Sequence, residues 1–368
     1  MPNTHSSPGL WALAWRRLRA DKIAMLALAV VGAFLLMLVL SASGLIVADW
    51  EDEVAVNYAP PTFTGAQAPA EYAAKARADR NEATPVNVLD PLADDIRQLR
   101  AEMGVNPEVH VDMYGIDDPL GKEVAQLRAG MAKANQRAHA AKLETLPFGA
   151  DKWGHDVLKK TVKGAETSIV VGLVAALLAV VLGTLFGAFS GYFGGRVDDF
   201  FNWFYSIFTS IPSILMILTV AAVLQQKGLL TIVLILGLTG WTGPYRLMRA
   251  EYIKHKAREY VMAADAIGAS HWRKMFSHIF PNVSHVALVQ MSILVVGFIK
   301  AEVILSFLGF GVPVGMVSWG SMLNEAQNEL ILGKWWQLSA AAIAMAVLVT
   351  AFSLFTDALR DALDPKVK

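Results

Sequence analysis

The chain has 368 residues, of which 55% are hydrophobic and only 17% are charged, and its mean hydropathy is +0.42. This composition indicates a protein that lies largely in a lipid bilayer rather than a soluble enzyme. Lysine plus arginine and aspartate plus glutamate both total 32, so no basic excess points to a nucleic-acid partner. Cysteine is absent, which excludes disulfides, thiol nucleophiles and cysteine-ligated metals.

Six apolar segments are long enough to cross the hydrocarbon core, which is about 30 Å thick and needs roughly 20 helical residues. The first could instead be the apolar part of a signal peptide, but it exceeds the usual length of about 7 to 15 residues. We therefore predict an all-α integral membrane protein with six transmembrane helices. The segments cover approximately residues 23–47, 167–189, 203–224, 229–248, 286–305 and 338–359.

Basic residues beside these segments predict the orientation, because flanks rich in lysine and arginine stay in the cytoplasm. The N-terminal flank 1–22, the loop 250–282 and the C-terminal tail 360–368 are all basic. With six spans, the three lie on the same side of the membrane. We therefore expect a multi-pass protein of the bacterial inner membrane with both termini in the cytoplasm.

The section 48–160 separates the first span from a five-helix core at 161–359, and its composition is polar and charged. The orientation places this section in the periplasm. Apolar residues at helical spacing predict helices near 92–103 and 124–134 within it. We interpret the section as a cap packed on the membrane core, and a ligand-binding role is the alternative.

Small residues and a proline mark two of the spans. Gly183, Gly187 and Gly191 repeat every fourth residue in the second span. Such a stripe allows two helix backbones to approach closely in lipid, and it predicts tight packing rather than contact with cargo. Pro212 lies in the third span and predicts a kink, which either lines a cavity or only serves packing.

Ionisable residues occur near the outer end of the fifth span. Glu302 lies at membrane depth in the sequence pattern, and carboxylates there are costly and often functional. It is a candidate for the translocation path together with Pro212. The alternative is that Lys300 reaches the interface and Glu302 meets water at the headgroups.

No catalytic or nucleotide-binding motif occurs in the chain. The GxxxxGK[ST] phosphate loop is missing, as are HExxH and GxSxG, and the histidines show no metal-ligand spacing. The chain is therefore expected to be no enzyme and to hold no metal or cofactor of its own.

The loop 250–282 reads as a helix, a bend at Gly268 and a second helix that stops at Pro281. Small residues beside the bend expose backbone to a partner, although an amphipathic hairpin at the membrane surface is an open alternative. The candidate coupling residues of this loop are Glu259, Tyr260, Ala263, Ala264, Asp265, Gly268, Ala269, Ser270, Ile279 and Pro281.

The loop resembles the EAA signature of ABC-transporter permeases, with Ala263, Ala264, Gly268, Ile279 and Pro281 at its core positions. Other stretches resemble the dipeptide, oligopeptide and nickel permease family in the same order. They read FGADKWGHDVL, GYFGGRVDDF, FLGFGVP with WGSML, and DALRDALDPK. Directly after the first of them, Lys159 and Lys160 replace a serine and an arginine that are usual in the family.

The resemblance implies one translocation subunit, the second permease of a pair, in an importer of peptides or related small solutes. Its partners would be a homologous permease, two ATPase subunits that hold ATP and Mg²⁺, and a periplasmic solute-binding protein. The loop 250–282 would dock on an ATPase subunit and transmit its motion. A secondary transporter is the alternative, although no inverted repeat is visible in the sequence.

Overall fold

The computed structural model describes residues 10–65, 142–224, 226, 228–313 and 315–363. The helices predicted near 92–103 and 124–134 lie outside the described residues. Elsewhere the chain is mainly helical, and a π-helical turn, Arg273–Ile279, leads directly into α9. The helices are α1 Leu10–Ala20, α2 Lys22–Ala42, α3 Val157–Phe193, α4 Gly195–Thr209, α5 Ser213–Leu224, α6 Leu229–Thr239, α7 Thr242–Lys256, α8 Glu259–Ala266, α9 Phe280–Phe307, α10 Trp319–Ile331 and α11 Trp336–Leu363.

Four helices in the described part are long and apolar enough to cross a bilayer: α2, α3, α9 with its preceding turn, and α11. A fifth span is possible if α4 and α5 form one bent segment, since they meet at an angle of 83°. The bend lies at Pro212, which has no N–H for the helix ladder and whose ring clashes with the preceding turn.

The predicted span 229–248 is divided into α6 and α7, so it does not form one continuous helix. Pro244 lacks the N–H that would bond to the carbonyl of Gly240 in an uninterrupted helix. Phe298 of α9 also packs so closely on Gly240 that a Cβ there would lie 2.3 Å from its ring. The described residues thus contain four spans by length and composition, or five if α4 and α5 form one bent span. The predicted span 229–248 is instead a broken segment formed by α6 and α7.

Helix α3 is the central element, and it packs against α2, α6, α7, α9 and α10. It contains 37 residues, which corresponds to about 55 Å and exceeds the thickness of the hydrocarbon core. The Asp156 carboxylate caps its N-terminus by accepting the N–H of Leu158 at 2.8 Å. Since Lys160, Lys163 and Glu166 lie in the first turns, the excess length extends beyond the membrane at that end.

The first helix and the end of the last helix in the described chain lie on the same side of the helix bundle. Ala14 and Leu18 of α1 form a small apolar cluster with Ala362 and Leu363 at the end of α11. On the opposite side, the chain around Ala55 runs beside the segment that leads into α3, with the N–H of Ala55 bonded to the carbonyl of Gly154 at 3.1 Å.

Candidate functional site

The glycine stripe of α3 lies directly against α7. A Cβ on Gly183 would lie 2.5 Å from the carbonyl oxygen of Trp241, and one on Gly191 would lie 2.5 Å from that of Arg249. At Gly187 the nearest atoms are Met248 Cβ and the Tyr245 carbonyl oxygen, both at 2.8 Å. These distances are shorter than ordinary van der Waals contact, so no side chain fits between the two backbones.

An ion pair lies beside this contact and joins α7 to α4. The Arg249 guanidinium donates to both carboxylate oxygens of Asp198, and each bond is 2.6 Å long. Asp198 also accepts from the hydroxyl of Ser190 on α3. Bidentate pairs of this kind fix both distance and angle, so α3, α4 and α7 are held together at the level where α7 leaves the bundle.

The candidate coupling loop contains α8 and a sharp bend. The helix ends in a Schellman motif, in which the Gly268 N–H donates to the Asp265 carbonyl at 2.9 Å and the Ala269 N–H to the Ala264 carbonyl at 3.0 Å. Gly268 has φ +77°, a left-handed conformation that favours glycine. A Cβ there would meet no atom within 4 Å, so the position is open in this chain.

Part of the loop anchors it to the bundle. Val261, Ala264 and Ile279 are buried, and Val261 and Ile279 pack with Tyr252 and Met275 in one apolar cluster. The Tyr252 hydroxyl donates to the carbonyl of Met275 at 3.2 Å, within the π-helical turn. This cluster also includes residues of α3 and α9, so α8 packs directly on the helix bundle.

The remaining candidate residues of the loop face solvent, apart from Ala269, which is half-buried. Asp265 is exposed and forms an ion pair with Lys274. The hydrogen bond from Lys274 lowers the pKa of the Asp265 carboxyl. The exposed candidates are Glu259, Tyr260, Ala263, Asp265, Gly268, Ser270 and Pro281.

Three large apolar side chains were not selected from the sequence but share this surface. Ile267 is 82% exposed, Trp272 is 63% exposed and Met262 is 55% exposed. Exposed apolar side chains around a bend are typical of a protein–protein contact.

Glu302 is fully buried, which corrects the interpretation that it meets headgroup water. Its carboxylate accepts from Ser168 of α3 at 2.6 Å and from Ser306 at 2.7 Å. Ser168 also accepts the N–H of Trp319, so the group joins α3, α9 and the start of α10. Pro212 is exposed at the break between α4 and α5. The structure therefore shows Glu302 inside the helix packing, and its place on a translocation path stays a prediction.

A network of buried charges, named the outer network, lies at the N-terminal end of α3, on the side that the sequence predicts to be periplasmic. The ammonium group of Lys160 donates to Asp151 at 2.7 Å and to Glu325 at 2.6 Å, with Gln337 at 3.4 Å. Burial alone would raise the pKa of Asp151, but Lys160 and the bonded N–H of His155 lower it overall. This network joins the segment before α3 to α10 and α11.

Glu329 lies beside this network but forms no ion pair among the described residues. The residue is buried, and neither carboxylate oxygen has a hydrogen-bond partner among the described residues. Burial raises its pKa to about 7, although Lys160 partly opposes the shift. Lys160 already has two carboxylate partners, Asp151 and Glu325, and it does not bond to Glu329.

This carboxyl predicts a loss of stability at alkaline pH. Because the folded pKa lies above the ordinary value of 4.5, folding is favoured by the proton; this contribution is complete below pH 4.5 and is lost as the pH rises through about 7. The loss amounts to about 3 kcal/mol. We expect Glu329→Gln to remove this dependence, so that its Tm in detergent at pH 8 exceeds that of the parent.

The matched control for this measurement is Glu259→Gln, because Glu259 is exposed. Its Tm should fall between pH 5.5 and pH 8 as that of the parent does. An equal fall for Glu329→Gln would contradict the assignment of the effect to Glu329.

The described residues contain no group of three or more histidine or acidic side chains that could hold a metal ion. The site thus combines three features. Helix α3 packs tightly on α7, the candidate coupling loop is anchored to the bundle and has an exposed bend at Gly268, and the outer network holds buried charges. These features suit a membrane protein that transmits movement between helices.

Comparison with known families decides between transport classes. Residues 183–368 match the family model described as binding-protein-dependent transport system inner membrane component. The chain belongs to this family. Residues 9–61 match the N-terminal transmembrane domain of oligopeptide transport permease C. The protein is therefore a permease subunit of an ABC importer, and it has no catalytic function of its own.

Individual relatives agree with the family. The chain is 37% identical over 221 residues to the dipeptide transport system permease protein DppC of Bacillus subtilis, which covers 60% of this chain and 69% of the relative. It is 38% identical over 221 residues to the oligopeptide permease OppC of the same organism, covering 60% and 72%. OppC of Salmonella typhimurium is 38% identical over 219 residues, again covering 60% and 72%.

These matches show that the chain is a multi-pass membrane protein of a bacterial importer. A binding-protein-dependent system also implies an ATPase partner, where ATP is hydrolysed, and a solute-binding protein. A secondary transporter is excluded as the main interpretation, because the chain belongs to the family of binding-protein-dependent permeases, whose systems include an ATPase.

Proposed function

We propose that this permease forms half of the translocation pore of a peptide importer in the inner membrane, paired with a homologous second permease. The names of the relatives, which are dipeptide and oligopeptide permeases, support peptides as the cargo. Two ATPase subunits with ATP and Mg²⁺ complete the complex, and a periplasmic binding protein delivers the peptide.

The proposed coupling element is α8 with the bend at Gly268. One face of α8 is anchored in the bundle through Val261 and Ala264, whereas Met262 and Ile267 face outward. An element with one anchored and one exposed face suits docking on a mobile partner, since movement of the partner then moves the helices behind it. Alternating access of the pore follows from this movement.

The glycine stripe is proposed to make α3 and α7 move as one body. The buried outer network is proposed to hold the outer ends of α3, α10 and α11 in place during this movement. This division of roles rests on the position of the two features at opposite ends of α3.

Reconstitution tests the function. The chain, its second permease, the ATPase subunits and the binding protein are placed in proteoliposomes that contain no other transporter. We expect ATP-dependent uptake of a labelled peptide, and no uptake when the ATPase or the binding protein is omitted. Uptake of a nickel chelate in place of peptides would contradict the proposed cargo.

The proposed topology predicts the labelling of single cysteines, which can be introduced cleanly because the chain has none. Thr64 and Ser277 are both exposed and lie at opposite ends of the bundle. In intact cells, an impermeant thiol reagent should label Thr64→Cys and leave Ser277→Cys unlabelled until the cells are opened. The reverse pattern would overturn the orientation.

A further inference from the structure

A cavity of about 680 Å³ opens between the ends of α7, α9 and α11, on the side where α1 meets the end of α11. One end of the cavity is basic and the other is apolar. Basic side chains are contributed by all three helices or their flanks, and they are Lys254, His255, Arg258, His285 and Arg360. The apolar wall includes Leu247, Val286, Val289 and Ile293.

Within the part of the chain that the structure describes, acidic side chains neutralise only part of the positive charge of the cavity. Glu251 is the only acidic residue among the lining residues, and it already accepts from Lys254 at 2.9 Å and lies 3.5 Å from His255. Within the described residues, neither Arg258 nor Arg360 has an ion pair. Burial, together with Lys254 and Arg258, also lowers the pKa of His255, as expected where cations gather.

The lining of the cavity changes from basic to apolar side chains along the membrane normal. His285 and Ile293 both belong to α9, which is a spanning helix, and eight residues separate them, a distance of about 12 Å. The wall thus runs from the basic loop level into the apolar level of the membrane. This change from cationic to apolar side chains is complementary to a phospholipid, which has a phosphate at one end and acyl chains at the other.

We propose that this cavity binds one anionic phospholipid of the cytoplasmic leaflet. The headgroup phosphate contacts Arg258, His285 and Arg360, and an acyl chain lies along Val289 and Ile293. Basic pockets between helices on the cytoplasmic side suit such headgroups. A free anion would leave the apolar wall uncovered, and an apolar partner helix would leave the arginines unpaired, so the lipid satisfies both ends.

The site adjoins the coupling loop, since Arg258 directly precedes α8. A bound lipid would therefore hold the start of α8 against the bundle. The proposal uses the predicted orientation of the chain but is independent of the cargo.

The test uses the assembled complex in vesicles of phosphatidylcholine that contain a photoactivatable phosphatidylglycerol. We expect crosslinks to α9 near Ile293. In the double variant Arg258→Gln/Arg360→Gln these crosslinks should fall roughly tenfold or more, because each cation contributes to attraction of an anionic lipid.

The matched control is Arg246→Gln, which removes an exposed cation of α7 that does not line the cavity. It should retain the crosslinks of the parent, and all complexes should show the same Tm and subunit composition. Equal labelling by a photoactivatable phosphatidylcholine, or unchanged labelling of the double variant, would overturn the proposal. Crosslinks from Val289→Cys to the second permease would also overturn it, because that subunit would then fill the cavity.

Discussion

Gly268→Val is expected to insert into the membrane at normal levels but to lose about nine-tenths of its transport activity, because the ATPase is released or no longer responds to the binding protein. Gly268 has φ +77° and ends α8 in a Schellman motif. A left-handed conformation costs a residue with Cβ roughly 1–2 kcal/mol, and a β-branched residue is the least tolerant. The bend should therefore open and move the exposed side chains of α8 away from the ATPase. A loss of about 1.4 kcal/mol in docking free energy corresponds to a tenfold lower affinity for the ATPase.

Transport and ATPase stimulation by the binding protein are measured together at equal expression. Because a Cβ at Gly268 meets no atom of the chain, a loss of function arises from the backbone conformation and not from a clash inside the permease. Gly268→Asn should retain most activity, since asparagine tolerates positive φ better than other residues.

Gly333→Val is a matched control for the same strain. Gly333 has φ +75°, also meets no atom within 4 Å and ends α10 at the other end of the bundle. Its transport should stay near that of the parent. Normal transport by Gly268→Val, or equal losses in both variants, would show that the bend is not the coupling element.

Gly187→Leu is expected to destabilise the permease strongly and to reduce assembly. The Cβ alone would lie 2.8 Å from both the Tyr245 carbonyl oxygen and Met248 Cβ, and leucine adds further atoms. Overpacking typically costs 1–3 kcal/mol, and contact with backbone leaves little room to adjust. Separation of α3 from α7 would also disturb the bond between Arg249 and Asp198. The yield and Tm of the purified complex measure the effect.

The control is Gly32→Leu in the spanning helix α2. Gly32 is exposed, and a Cβ there would meet no atom within 4 Å. The same change in side chain should therefore leave yield and Tm within experimental error of the parent. If Gly187→Leu assembles and transports like Gly32→Leu, the contact with α7 does not exist in the assembled protein.

The broken segment formed by α6 and α7 shows where sequence patterns are insufficient. Hydropathy alone predicts one span at 229–248, since the segment begins with a strongly apolar run from Leu229 to Leu238. Pro244 was present in the sequence, but the packing of Phe298 on Gly240 joins residues far apart in the chain. A helix can continue past a proline when its neighbours allow it, so the break depends on α9.

The membrane class, most of the apolar segments and the bend at Gly268 could all be predicted from the sequence. Each is a local property, set by composition, by hydrophobic length or by the conformational freedom of one residue. The four-residue spacing of Gly183, Gly187 and Gly191 predicted a close contact as well, but it did not identify α7 as the partner helix.

Only the tertiary structure decided the surroundings of the ionisable residues. Glu302 accepts hydrogen bonds from serines of two helices, and Glu329 is buried without a hydrogen-bond partner among the described residues. Arg258 and Arg360, which are far apart in the chain, line one cavity. Burial and pairing depend on which helices become neighbours, and residues far apart in the chain determine this together. The free-energy cost of burying a charge depends on those neighbours. The sequence therefore showed which residues are charged, whereas helix packing determined which of these charges have a partner within the described structure.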